Sequence, residues 1–137
     1  MQFAQSDALV FVGAVGIAVR AIAPHCRSKA SDPAVVVLDE CGRFAVPVLS
    51  GHLGGANDLA RALAAVCGAV PVITTATDAH GIFAVDEWAK HQNCTVLEAE
   101  RIKHVSSKLL AGQSVRFAAE FPVQGTLPAG VDPARTP

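Results

Sequence analysis

No tyrosine and a single tryptophan occur in this sequence, and six phenylalanines complete the aromatic set. Bases of single-stranded nucleic acid would find few rings to stack on. Charge of one sign is missing as well. Eleven Lys and Arg against twelve Asp and Glu leave a net charge of -1, which attracts neither a phosphate backbone nor an anionic bilayer. Nucleic acid and membrane are therefore not expected as partners. No apolar run reaches the ~18 residues of a membrane span, and Met1 is followed by Gln2 to Asp7 rather than by a basic stretch and an apolar signal core.

Paired cysteines are also lacking. Cys26, Cys41, Cys67 and Cys94 are widely spaced with no CxxC, which argues against a zinc cage or a redox dithiol and suits free thiols in a reducing cytoplasm. Cys41, beside Gly42, reads as structural. His25, His80, His91 and His104 are dispersed with no HxxxH or HExxH pair, so no metal site is expected from local spacing.

What the chain does have is apolar bulk in small side chains. A hydrophobic fraction of 51% over 137 residues is ample for a packed core, and Ala and Val dominate it, as suits helices packed closely on a sheet. Ala8 to Val12 is a continuous apolar run ending at Gly13, the pattern of a strand buried on both faces, and Gly16 to Ala23 continues as a helix ended by Pro24. Ala34 to Asp39 and Phe44 to Leu49 read as strands joined by the hairpin Glu40-Cys41-Gly42-Arg43, with Pro47 limiting the pairing of the second. Asn57-Asp58 opens a helix carrying Leu59, Leu63 and Val66 to a stop at Gly68. Pro71 to Thr74 reads as a fourth strand, Thr75 to Gly81 as a polar loop, Val85 to Gln92 and Glu100 to Leu110 as helices, and Ser114 to Ala119 as a last strand. The expected fold is α/β: a three-layer sandwich, flavodoxin-like or Rossmann-like, on a mostly parallel sheet that the hairpin makes mixed. One domain is expected over residues 1–120. Residues 121–137, with Pro122, Gly125, Pro128, Gly130, Pro133 and Pro137, read as a tail or linker.

Ligands of open α/β sheets sit beyond the carboxyl ends of strands. Three segments occupy such positions in the sequence: Gly13-Ala14-Val15-Gly16, Ser50 to Asn57, and Thr74 to Asp78. The stretch Ser50-Gly51-His52-Leu53-Gly54-Gly55-Ala56-Asn57 leaves backbone bare while a hydroxyl, an imidazole and an amide project around it. It has neither the P-loop lysine nor GxGxxG spacing, so a nucleotide has no motif to bind. His52 suits a general acid or base, or a residue that only orders its loop. Asn57 suits a helix cap or a substrate contact. Asp78 with Thr74, Thr75 and Thr77 suits either hydroxyl recognition or ordinary turn chemistry, and Arg20 either an acidic ligand group or the surface.

Three segments together carry a family resemblance: Val12 to Arg20, Asp32 to Val37, and SGHLGGAN from Ser50 to Asn57 followed by Thr74-Thr75-Ala76-Thr77-Asp78. In order and spacing the chain resembles the amino-terminal domain of CbiG-type cobalt-precorrin-5A hydrolases of anaerobic cobalamin (vitamin B12) synthesis, over roughly Asp7 to Phe117. The resemblance implies opening of the ring A δ-lactone of cobalt-precorrin-5A, giving cobalt-precorrin-5B and acetaldehyde. The cobalt-corrinoid substrate brings its own metal, so no separate cofactor is expected. His52 and Asp78 are then the catalytic candidates. Gly13, Gly16, Arg20, Ser50, Gly51, Gly54, Gly55, Asn57, Thr74, Thr75 and Thr77 are the substrate-binding ones, with amides near Gly54 and Gly55 as oxyanion donors. Family members usually have a further strand and helix before the segment at Asp7 and a separate carboxy-terminal domain after it. The chain is therefore expected to act with such a domain, to self-associate at an open sheet edge, or to serve as a non-catalytic corrinoid-binding module.

Overall fold

The computed structural model describes residues 3–134, so Met1, Gln2 and residues 135–137, Pro137 among them, lie outside the described residues. The chain divides into two compact units, Met1–Thr74 and Thr75–Pro137. The first contains β1 (Ala8–Val12), α1 (Val15–Ile22), β2 (Ala34–Leu38), β3 (Phe44–Leu49), α2 (Ala56–Cys67) and β4 (Val70–Pro71). Its sheet runs β1-β2-β3-β4, parallel between β1 and β2, antiparallel between β2 and β3, and parallel between β3 and β4. The α/β class and the mixed sheet are as expected.

β2 is the spine of this sheet. Side chains alternate across a strand, so Val35 and Val36 face opposite layers, and both are fully buried. On one face Ala34, Val36 and Ala45 pack against Ala56, Ala60 and Ala64 of α2. On the other, Val35 packs with Ile22 at the end of α1, Phe3, and the partly buried Leu9, Phe11, Val48 and Leu49. This makes three layers. The alanines of α2 recur every fourth residue and so form one stripe, whose short side chains let the helix approach the sheet closely.

The turn between β2 and β3 is held by one carboxylate. Asp39 Oδ1 accepts the amides of Arg43 at 2.6 Å and Phe44 at 2.7 Å, while Oδ2 accepts Arg43 Nε at 3.3 Å. Gly42 takes φ +66, in the left-handed region that the tight reversal requires. Pro47 sits opposite Val36, where the register slips, and β4 reaches only Phe44 and Ala45 on the other side. The missing amide of Pro47 thus falls where ladder pairing is already interrupted or ended. β1 pairs with β2 alone among the described residues, and Val12 on this edge is 70% exposed.

The second unit contains α3 (Ala76–Ala79), α4 (Val85–His91), α5 (Ile102–Leu110), β5 (Val115–Phe117) and β6 (Val131–Pro133). Ala84, Ala89, Ile102, Leu109 and Val131 are buried, and Trp88 stands edge-on to both Phe83 and Phe117. Several sequence expectations change here. The boundary between units falls at Thr74 rather than near residue 120. The loop after β4 holds the short helix α3, and the fourth strand is Val70–Pro71 rather than Pro71 to Thr74. Most of all, the supposed tail is packed. β6 pairs in parallel with β5, and the Gln92 side chain brackets the segment leading to it, donating to Gln124 O at 2.9 Å and accepting Gln124 N at 3.0 Å. Proline and glycine density marked a loop correctly but hid a three-residue strand within it. Among the described residues no helix is long and apolar enough to cross a membrane, and all four cysteines are free and exposed.

Ala60 is fully buried between α2 and the sheet, so Ala60→Leu is expected to cost about 1–3 kcal/mol by overpacking, read as a lowered urea midpoint with unchanged slope. The Phe44 amide bond leads the effects that hold the Asp39 carboxyl below the ordinary 3.8, outweighing a smaller opposing desolvation, with Arg43 adding to it. A group with a depressed folded pKa stabilises the fold above its unfolded value and loses that contribution as pH falls through the folded one. An NMR titration of Asp39 is therefore expected to give a midpoint below 3.8, and a midpoint at or above that value would count against the arrangement.

Candidate functional site

β3 ends in a loop that is built mainly from its own backbone. Ser50 adopts φ +55, unusual for a residue with a side chain, and its Oγ donates to Asp32 O at 2.9 Å. Asp32 is itself buried and accepts the amides of Arg27 and Ser28 on its carboxylate, with Arg27 N to Oδ2 at 2.9 Å and Ser28 N to Oδ2 at 3.1 Å. A Cβ on Gly54 would lie 2.3 Å from Ser50 Cβ, so only glycine fits at that position. Gly55 then takes φ +81 and caps α2.

This internal bonding decides which groups remain available. The Gly55 amide donates to His52 O at 2.9 Å, Ala56 N to Ser50 O at 3.1 Å, and Asn57 N to Gly51 O at 2.9 Å. The first amides of α2, which would otherwise present a partial positive charge to an anion, are thus engaged by carbonyls of the loop. Of the two glycines expected to supply oxyanion donors, Gly55 is removed by its bond to His52 O. The Gly54 amide donates to no group among the described residues. The Ser50 hydroxyl gives its proton to Asp32 O and keeps only acceptor capacity. Asn57 is buried in the first turn of α2 and is not its cap, which is Gly55. His52 and Gly51 remain half-buried at the surface of the loop.

The strand directions divide the expected site further. Val12 registers with Leu38 and Leu38 with Ala45, whereas Leu49 registers with Val35 near the start of β2. The carboxyl end of β1 therefore lies at one edge of the sheet and that of β3 at the other. Gly13, whose amide bonds Leu38 O at 2.9 Å, and the exposed Gly16 belong to the first edge, away from the Ser50 loop. They do not join it, and Arg20 is exposed on α1. β4 runs parallel to β3, which directs Thr74 toward the same edge as Ser50.

In the second unit, Thr75 precedes α3 and its hydroxyl donates to Asp78 Oδ2. Thr77 is buried, and its carbonyl accepts Ile82 N at 2.7 Å, which closes the turn. Asp78 is half-buried and does not stand alone. A carboxylate oxygen of Glu87, on α4, comes within 4.8 Å of one from Asp78. Sequence reasoning missed Glu87, because an acidic residue in the first turn of a helix reads as ordinary dipole complementation. Two nearby carboxylates with a hydroxyl donor suit orientation of a hydroxyl-bearing or water molecule.

A mixed-sheet α/β unit with a histidine on a closed glycine loop places the chain in a class with a solved relative, a cobalamin biosynthesis protein G homolog from Sulfolobus solfataricus. That structure superposes with TM-score 0.56 at 28% identity over 95% of this chain and 39% of its own. The chain belongs to the CbiG family: the model of its amino-terminal region, cobalamin synthesis G N-terminal, matches residues 1–78, more than half of the length. The cobalt-precorrin-5A hydrolase of Salmonella typhimurium is 48% identical over 114 residues, 82% of this chain and 32% of that one. The enzyme of the same name from Priestia megaterium is 39% identical over 118 residues, 86% of this chain and 32% of the relative. The chain thus spans about a third of the length of these curated relatives.

Gly54→Ala is expected to destabilise the first unit by about 1–3 kcal/mol, because the added methyl meets the Ser50 side chain and backbone rather than a flexible tip. Thermal unfolding checks this, with an unchanged midpoint showing that the loop gives way.

Proposed function

We propose that this chain forms part of a cobalt-precorrin-5A hydrolase, acting on the ring A δ-lactone to give cobalt-precorrin-5B and acetaldehyde. The observation that carries this reading is the 48% identity to the Salmonella hydrolase across 82% of the chain. In this reading water adds to the lactone carbonyl and the ring C–O bond breaks, leaving a carboxylate and an alcohol. The alcohol proton then goes to a base as the adjacent carbon–carbon bond opens, the two-carbon unit leaves as acetaldehyde, and the macrocycle keeps the electron pair until it is protonated. His52 supplies the base, the Gly54 amide an oxyanion donor, and Asp78, held by Thr75, orientation of a reacting hydroxyl. Ser50 and Gly55 shape the loop rather than touch substrate. The cobalt arrives with the substrate, and no separate cofactor is needed.

The partner in this reading is the remainder of the hydrolase, since the chain spans about a third of its relatives. A second copy pairing along β1 is the alternative occupant of that edge, and sedimentation of the isolated chain separates the two. The exposed free cysteines favour a cytoplasmic location. The alternative is a non-catalytic corrinoid-binding role.

The test is anaerobic incubation with cobalt-precorrin-5A while acetaldehyde is followed, using the chain alone and the chain with the rest of a relative's polypeptide. Acetaldehyde in either case supports the hydrolase reading; corrinoid binding without turnover in both leaves the binding module. In the active preparation His52→Ala is expected to lower kcat by about 10²–10⁴-fold with folding retained. Undiminished turnover would remove His52 as the base.

A further inference from the structure

We propose that the second unit carries a binding site for a small, multiply charged anion in the cavity between α5 and β5. The cavity has a volume of about 560 Å³ and is lined by His104, Val105, Lys108, Ser114, Val115 and Arg116. That volume lies within the range of small-molecule sites, roughly 300–1,000 Å³. Its polar lining consists of Lys108, Arg116, the His104 imidazole and the Ser114 hydroxyl, all exposed, with no carboxylate among them.

The convergence follows from local geometry. His104 and Lys108 are one helical turn apart and share a face of α5. Gly112, at φ +72, ends the helix and turns the chain back, so that Ser114 and Arg116, two positions apart, return along it on one side of the strand. The negative end of the α5 dipole opposes an anion here, but three of its last four carbonyls are engaged. Ala111 N bonds Ser107 O at 3.0 Å, Gly112 N bonds Leu109 O at 3.0 Å, and Gln113 N bonds Lys108 O at 3.0 Å.

Arg116 has a carboxylate on the neighbouring strand, but neither cation is ion-paired with it. Asp132 of β6 registers opposite Arg116, yet it does not line the cavity. Among the described residues, neither Lys108 nor Arg116 takes part in an ion pair. Both cations line the same groove beside Val105, and a ligand with two or more anionic oxygens meets them with charge-assisted hydrogen bonds. Carboxylate and phosphate share this chemistry.

Calorimetric titration of the whole chain at low ionic strength tests the site, with tricarballylate as one probe and pyrophosphate as the other. Saturable binding of at least one probe is expected, weakened about tenfold or more by Lys108→Gln and by Arg116→Gln. Lys103→Gln removes the same charge from a neighbouring exposed position on α5 outside the cavity, and it should leave the affinity unchanged. Circular dichroism confirms that each variant is folded, and the tighter probe assigns the site to carboxylate or to phosphate. Absence of saturable binding to both probes would overturn the proposal. So would an equal loss in Lys103→Gln, which would mean diffuse attraction to surface charge.

Discussion

The antiparallel pairing of β2 with β3 is the constraint from which the layout of the first unit follows. β2 is buried on both faces and pairs in parallel with β1, so its direction sets that of the whole edge. The Asp39 carboxylate then folds the chain back within five residues by gathering the Arg43 and Phe44 amides. Because β3 runs against its neighbour, its carboxyl end and the glycine loop that leaves it lie beside the start of β2, where Asp32 is. A parallel crossover at this point would have put the loop beside Gly13 instead. One short turn therefore separates two glycine segments that look equivalent along the chain.

The Ser50 loop shows a second consequence. Glycines with bare amides suggest a cradle for anions, and the structure uses the Gly55 amide, with those of Ala56 and Asn57, within the loop. Gly54 is needed because Ser50 lies against it, and Gly55 because the cap of α2 is left-handed. What this arrangement provides is a fixed backbone around His52. A general base gains from such fixation, since proton transfer depends on reach and direction as much as on basicity. In the proposed hydrolase the loop is thus a mount for one imidazole and one open amide, rather than a binding nest.

The second unit works by different means. Its core is small and relies on Trp88 between two phenylalanine rings, and its two-stranded sheet is closed by a strand from a segment rich in proline and glycine. The Gln92 amide does for this segment what a ladder would do elsewhere, offering one donor and one acceptor to the backbone at Gln124. The same return of β5 along α5 gathers the basic side chains around a cavity.

By itself the sequence determined the α/β class, the strand β2, the Glu40–Arg43 hairpin, α2 and its stop at Gly68, and the family, because these depend on periodicity, turn chemistry and a specific motif close together in the chain. The burial on both faces that it suggested for Ala8–Val12 belongs instead to β2, β1 being an exposed edge. Only the tertiary structure decided that Gly13 and Gly16 lie away from the Ser50 loop, that the Gly55 and Asn57 amides are engaged, that Glu87 approaches Asp78, and that residues 131–133 form a strand. The physical reason is common to all four. Each depends on strand direction or on a hydrogen-bond partner supplied by the fold, and neither quantity is written in the local spacing of residue types.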